Sequence, residues 1–161
     1  MQVEVLKPDR FSEWNDFVDK SPQGDVFCYT WWLDAITKSK FRIIAVLEKD
    51  EIMSGIPLAF DEFSRINEPP FTRTLGVLFK SQLDLSEYKQ VSNQRKWLNA
   101  LLENISPDDF VQMCMHHRFN DWLPFRWKGF KQTVRYTYLV DYTGKSIDDL
   151  WNKLNHSIKS N

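Results

Sequence analysis

Hydrophobic and polar positions change period several times along the chain, and each change marks an element. Residues 2–6 alternate and then meet Lys7-Pro8-Asp9. This predicts a short strand followed by a helix over about 9–19, with Phe11, Trp14, Phe17 and Val18 on one face. Ser21-Pro22-Gln23-Gly24 has turn chemistry and ends that helix. A second helix follows at about 29–38, carrying Trp32, Leu33 and Ile36 inward. The period then drops to two. Residues 41–48 are rich in Ile and Val, and residues 52–60 place Ile52, Ile56, Leu58 and Phe60 on alternate positions. Lys49-Asp50-Glu51 between them is a polar turn, so the pair reads as a β-hairpin. Pro57 donates no hydrogen bond, which predicts an edge or a bulge there.

Residues 61–70 form a polar connection closing on Pro69-Pro70, and 71–79 read as an irregular strand. A long helix is expected over about 85–105, with Val91, Leu98, Leu101, Leu102 and Ile105 as its buried stripe and Asp84 or Ser86 as cap. Residues 109–115 read as a central strand, 120–127 as an aromatic loop with one helical turn, and 131–141 as a strand with Val134, Tyr136, Tyr138 and Val140 on one face. A last helix starts near 146, where Ser146 and Asp149 have capping-box spacing, and carries Ile147, Leu150, Trp151, Leu154 and Ile158. The order β-α-α-β-β-β-α-β-β-α predicts an α+β, mixed α/β class: one central, largely antiparallel sheet with helices on both faces. Strands at 41–48, 52–60, 109–115 and 132–141 are expected to share that sheet.

Composition narrows the chemistry without naming it. The 161 residues have a formal net charge of −1, which leaves no broad electrostatic footprint for DNA. No apolar run approaches a membrane span, and Met1–Leu6 lacks a basic leader, so the expectation is a cytoplasmic protein. Only 5 glycines occur, and neither a P-loop nor a dinucleotide-binding glycine pattern is present. Cys28 and Cys114 lie far apart, outside any CxxC pair, and read as reduced, buried small residues. His116 and His117, if on a strand, point to opposite faces and do not chelate one ion together, so no metal site is expected. Nothing near Cys28 in sequence depresses its pKa, and a Cys28–His117 pair is a minor alternative. The acidic pairs Asp108-Asp109 and Asp148-Asp149 fit turn chemistry and a helix dipole.

The outlier is aromatic content: 12 Phe, 7 Trp and 5 Tyr. These residues either build a large core with lid-like loop tryptophans or line a ligand groove beside Arg and Lys. Trp31 falls off the Trp32–Leu33–Ile36 stripe, Phe71 and Arg73 follow Pro69-Pro70 in extended chain, and Trp127 leaves an Arg-flanked loop. Trp31, Phe71, Arg73 and Trp127 are therefore the substrate-binding candidates, expected together on one side of the sheet. No catalytic residue is named.

Three segments resemble the N-terminal half of Fem-type acyltransferases, the double-GNAT proteins that build peptidoglycan bridges, and their bacterial relatives. The first is Phe11-Ser12-Glu13-Trp14-Asn15-Asp16-Phe17-Val18 followed by Ser21, Gly24, Phe27, Tyr29 and Trp32. The second is Pro69-Pro70-Phe71-Thr72-Arg73-Thr74-Leu75-Gly76-Val77-Leu78-Phe79. The third is Tyr136-Thr137-Tyr138-Leu139-Val140-Asp141, then Ser146, Leu150-Trp151, Leu154 and Ser157. The resemblance implies that 1–161 is a single GNAT-like domain, the N-terminal half of a two-domain protein. Such a domain walls the acceptor groove and lacks its own acyl-CoA loop, whose glycine-bearing pattern is absent here. Its implied partners are a C-terminal GNAT-like domain or a second copy, and a small polar acceptor. No cofactor is expected in this chain; acyl-CoA or aminoacyl-tRNA would belong to the full-length protein. The alternative is a stand-alone, non-catalytic binding module with an aromatic patch.

Overall fold

The computed structural model describes residues 1–105 and 111–154. Its centre is an antiparallel sheet in the order β1 (Gln2–Val5), β2 (Phe41–Glu48), β3 (Glu51–Ala59) and β4 (Leu78–Phe79). Helices α1 (Phe11–Lys20), α2 (Thr30–Thr37), α3 (Glu87–Leu102), α4 (Leu123–Trp127) and α5 (Ile147–Lys153), with 3-10 turns at Pro8–Arg10 and Val26–Cys28, complete the described elements. The class is the mixed α+β expected, with helices on both faces.

The apolar run of β2 follows from its position. It is paired on both edges and covered on both faces, so Ile43 through Leu47 are all buried. Ile44 and Val46, with Ile56 and Leu58 of β3, pack towards Trp97, Leu98 and Leu101 of α3. Ile43, Ala45 and Leu47 pack towards Trp14, Phe17 and Val18 of α1 and Leu33 of α2. The β2–β3 turn holds Lys49 at φ 52° and Asp50 at φ 66°, the left-handed pair that suits the strand twist. A register shift between Val46 and Leu47 sends Ile52 into the α1 cluster, away from Ile56, so strict alternation along 52–60 fails at that bulge. Pro57 pairs with Ile43, while the β4 ladder reaches only Ser54 and Gly55, leaving the outer edge of β3 open at the proline as expected.

Trp14 is fully buried and donates its indole N–H to the Cys28 carbonyl at 2.8 Å. Its ring lies over Gly55, where a Cβ would come within 2.4 Å of the indole. A glycine inside this strand is therefore a packing requirement.

Several expectations need correction. Val91 is 41% exposed, because no residue of α3 before Trp97 is buried and only the second half of the helix rests on the sheet. Ser86 is the N-cap by position, but its side chain makes no cap bond. Of 71–79, only Leu78–Phe79 is strand. In 109–115 the described residues make isolated bridges, Ile66 with Val111 and Leu75 with Cys114, instead of a continuous ladder; residues 109 and 110 lie outside the described residues. Ile158, His156 and Asp108 also lie outside them.

Met1–Lys131 forms one compact unit, and a second begins at Gln132. In the second unit residues 132–141 do not form the expected strand, and Tyr136 and Tyr138 are almost fully exposed. Alternation supplies an apolar face, but a strand also needs neighbouring N–H and C=O groups, and no ladder partner occurs among the described residues. The capping box of α5 is formed: Ser146 Oγ accepts from Asp149 N at 3.1 Å, and the Asp149 carboxylate accepts from Ser146 N at 2.9 Å.

Candidate functional site

Two segments of the first unit, 25–32 and 71–76, are fastened side by side through polar side chains. Asp25 caps a 3-10 turn, Val26–Cys28, by accepting Phe27 N–H on Oδ1 at 2.9 Å. Its other oxygen accepts the Thr74 hydroxyl. One turn on, Trp32 donates its indole N–H to Thr72 Oγ1 at 3.1 Å. With Thr72 and Thr74 turned inward to these partners, Phe71 and Arg73 are left exposed.

The backbone at Phe71 departs from the extended chain expected after Pro69-Pro70. Thr72 N–H donates to the Pro69 carbonyl at 3.3 Å, closing a turn, and Phe71 sits at φ 58°, a position such turns give to glycine. The phenyl ring is 86% exposed. A left-handed conformation costs a side-chain-bearing residue roughly 1–2 kcal/mol. Phe71→Gly is therefore expected to raise the melting temperature by roughly 2–4 °C while removing the presented ring; a scan of the two proteins checks this.

Trp31 is 56% exposed on α2. Its ring lies 6.0 Å from Tyr29 and 6.1 Å from Trp32, and Trp32 meets Phe27 edge-on at 5.4 Å. Tyr29 donates its hydroxyl to Asp19, and that bond holds its pKa above the ordinary value. The structure thus brings Trp31 and the Phe71–Arg73 stretch to the α2 side of the molecule through Trp32. It does not bring Trp127 there. Trp127 extends from α4, whose Phe125 is buried in the α3-side cluster, and the Arg95 guanidinium of α3 lies 6.0 Å from its ring. The Pro-Phe of α4 pins that turn to the opposite layer, which the local sequence did not reveal.

Gln23, Asp25, Cys28, Thr74, Gly76 and His116 gather around a gap too narrow to hold a water molecule. Cys28 is buried and donates its thiol to Asp25 Oδ1 at 3.6 Å. Burial first, and then the neighbouring carboxylate, push its pKa well up, which favours the thiol over the nucleophilic thiolate. Cys114 is half-buried and also free. His116 and His117 are not on a strand, and their rings approach to 4.1 Å instead of pointing apart. Among the described residues no group of three His, Cys, Asp or Glu side chains is placed to hold a metal ion, and no helix is long and apolar enough to cross a membrane. Sequence reasoning missed Asp25, Thr72 and Thr74. The one available signal was an aspartate two residues before Phe27, the spacing of a side-chain cap on a backbone N–H.

No family model matches this chain, and no curated protein does. Among solved structures, an aminoglycoside antibiotic 6'-N-acetyltransferase from Acinetobacter haemolyticus, without ligand, is 9% identical. The match covers 88% of this chain and 98% of that one, with a TM-score of 0.43. A likeness that distant leaves the site to be judged on its own residues.

Proposed function

We propose that this chain is a GNAT-like domain of the Fem acyltransferase type, cytoplasmic, forming one wall of an acceptor groove and taking no acyl-CoA itself. The observation that carries this reading is the outward presentation of Trp31, Phe71 and Arg73 from two segments fastened by Trp32–Thr72 and Asp25–Thr74. Exposed rings offer flat faces for stacking, and Arg73 adds a fixed positive charge suited to a polar or anionic acceptor. Fixing an acceptor beside its acyl donor lowers the barrier by orientation, without a nucleophile on this domain. The donor chemistry would come from a second GNAT-like domain or a second copy. Trp127 stays outside this wall.

Titration with a soluble muramoyl pentapeptide, followed by calorimetry, tests the reading. Trp31→Ala and Arg73→Ala should each weaken binding about tenfold, about 1.4 kcal/mol, with melting temperatures unchanged. Acetyl-CoA alone should show no dissociation constant tighter than roughly 10 μM. Tight acetyl-CoA binding, or a large stability loss in Arg73→Ala, would overturn it. A non-catalytic binding module is the second reading, favoured by the way Asp25, Thr74 and the Cys28 thiol are occupied with one another. It prevails if the variants lose binding but no acyl transfer appears when the whole protein is supplied with donor.

A further inference from the structure

We propose that the His116–His117 pair is an acid-sensitive latch, holding the 116–119 loop against β4 at neutral pH and releasing it when His116 takes a proton. His116 Nδ1 accepts the Arg118 N–H at 3.2 Å, so the neutral ring carries its proton on Nε2. Phe119 N–H donates to the His116 carbonyl at 2.8 Å, closing the loop. Gln23 then ties loop to sheet: its Nε2 donates to the Arg118 carbonyl at 3.4 Å, and its Oε1 accepts Phe79 N–H at 3.1 Å. Phe119 completes the seal, stacked on Phe79 with ring centroids 6.1 Å apart and edge-on to Phe125 at 6.0 Å.

Protonation strikes this arrangement at its first link. An Nδ1–H cannot accept from Arg118, so a donor is turned against a donor. The new charge lies beside the His117 ring at 4.1 Å and near the Arg118 side chain, and among the described residues Asp25 is what attracts it. Asp25 is already engaged with Phe27 N–H, the Cys28 thiol and the Thr74 hydroxyl. Consistent with this, burial and then the His117 charge hold His116 below its ordinary pKa. The unfolded chain therefore binds more protons than the folded one in the window just below pH 6.5. Stability rises with pH through that window and is lost as pH falls through it.

Hydrogen exchange and thermal scans at pH 7.5 and 5.5 test the latch on the intact chain. The amides of Arg118 and Phe119 should lose protection at pH 5.5, after correction for intrinsic exchange, while the β2 amides keep theirs. The melting temperature should fall by roughly 2–4 °C. His116→Asn keeps an acceptor near the Nδ1 position without a titratable ring, and should hold protection at Arg118 at both pH values. His117→Asn should narrow the difference by removing the neighbouring charge. Unchanged Arg118 protection in the wild type, or an equal loss in His116→Asn, would overturn the proposal. Should His116→Asn fail to fold, the wild-type exchange comparison decides alone.

Discussion

Trp14→Ala is expected to lower stability by about 3–5 kcal/mol, the largest effect of any single replacement considered. The indole is fully buried, sits 5.4 Å from the Phe17 ring and fills the space that Gly55 leaves open on β3. Removing it empties a site bounded by sheet backbone, which cannot collapse inward, and leaves the Cys28 carbonyl without its indole donor. Denaturant unfolding should show the loss as a lower midpoint with little change in slope. A companion measurement localises the cause. Gly55→Ala alone should destabilise by about 1–3 kcal/mol through the clash with the indole. In the Trp14→Ala background the same change should cost much less, since the two sites touch.

The second large effect is expected at Gly24. A Cβ there would stand 1.9 Å from the Val18 carbonyl oxygen and 3.2 Å from that of Ser21, and neither backbone atom can swing aside as a side chain does. Gly24→Ala must therefore part the chain from the end of α1, at a cost of about 3 kcal/mol. The displaced stretch carries Gln23 and Asp25, which anchor Phe79 and Thr74. Loss of stability should be accompanied by weakened acceptor binding, although Gly24 itself touches no ligand in the proposal. Gly76→Ala makes the informative contrast. Its Cβ would meet the Met115 sulfur at 2.3 Å, and a flexible thioether can turn away, so its melting temperature should fall less than that of Gly24→Ala.

The sequence by itself determined the elements whose signals are local. The spacing of Trp14, Phe17 and Val18 specified α1 and its buried face, because a helix presents positions three and four apart on one side. Two apolar runs around Lys49-Asp50 specified the hairpin, and Ser146 with Asp149 specified the start of α5, since turn and cap chemistry act within a few residues. The outward placement of Trp31 was legible for the same reason: one helical face was already claimed.

Only the tertiary structure decided which segments meet. The 132–141 stretch alternates as a strand should, yet a strand exists only beside a partner, and alternation does not supply one. Phe71 carries no mark of a left-handed turn, because phenylalanine ordinarily avoids it; long-range bonds from Thr72 and Thr74 accompany that conformation. Trp127, in its Arg-flanked loop, was expected beside Trp31, but the burial of Phe125 sent it to the other layer. His116 and His117 were expected to diverge by strand geometry, and their rings became neighbours because the chain around them makes only an isolated bridge at Cys114 and is not strand. Where a contact decided, as Trp32 with Thr72 and Asp25 with Thr74, it spans tens of residues, a distance over which local propensity carries no information.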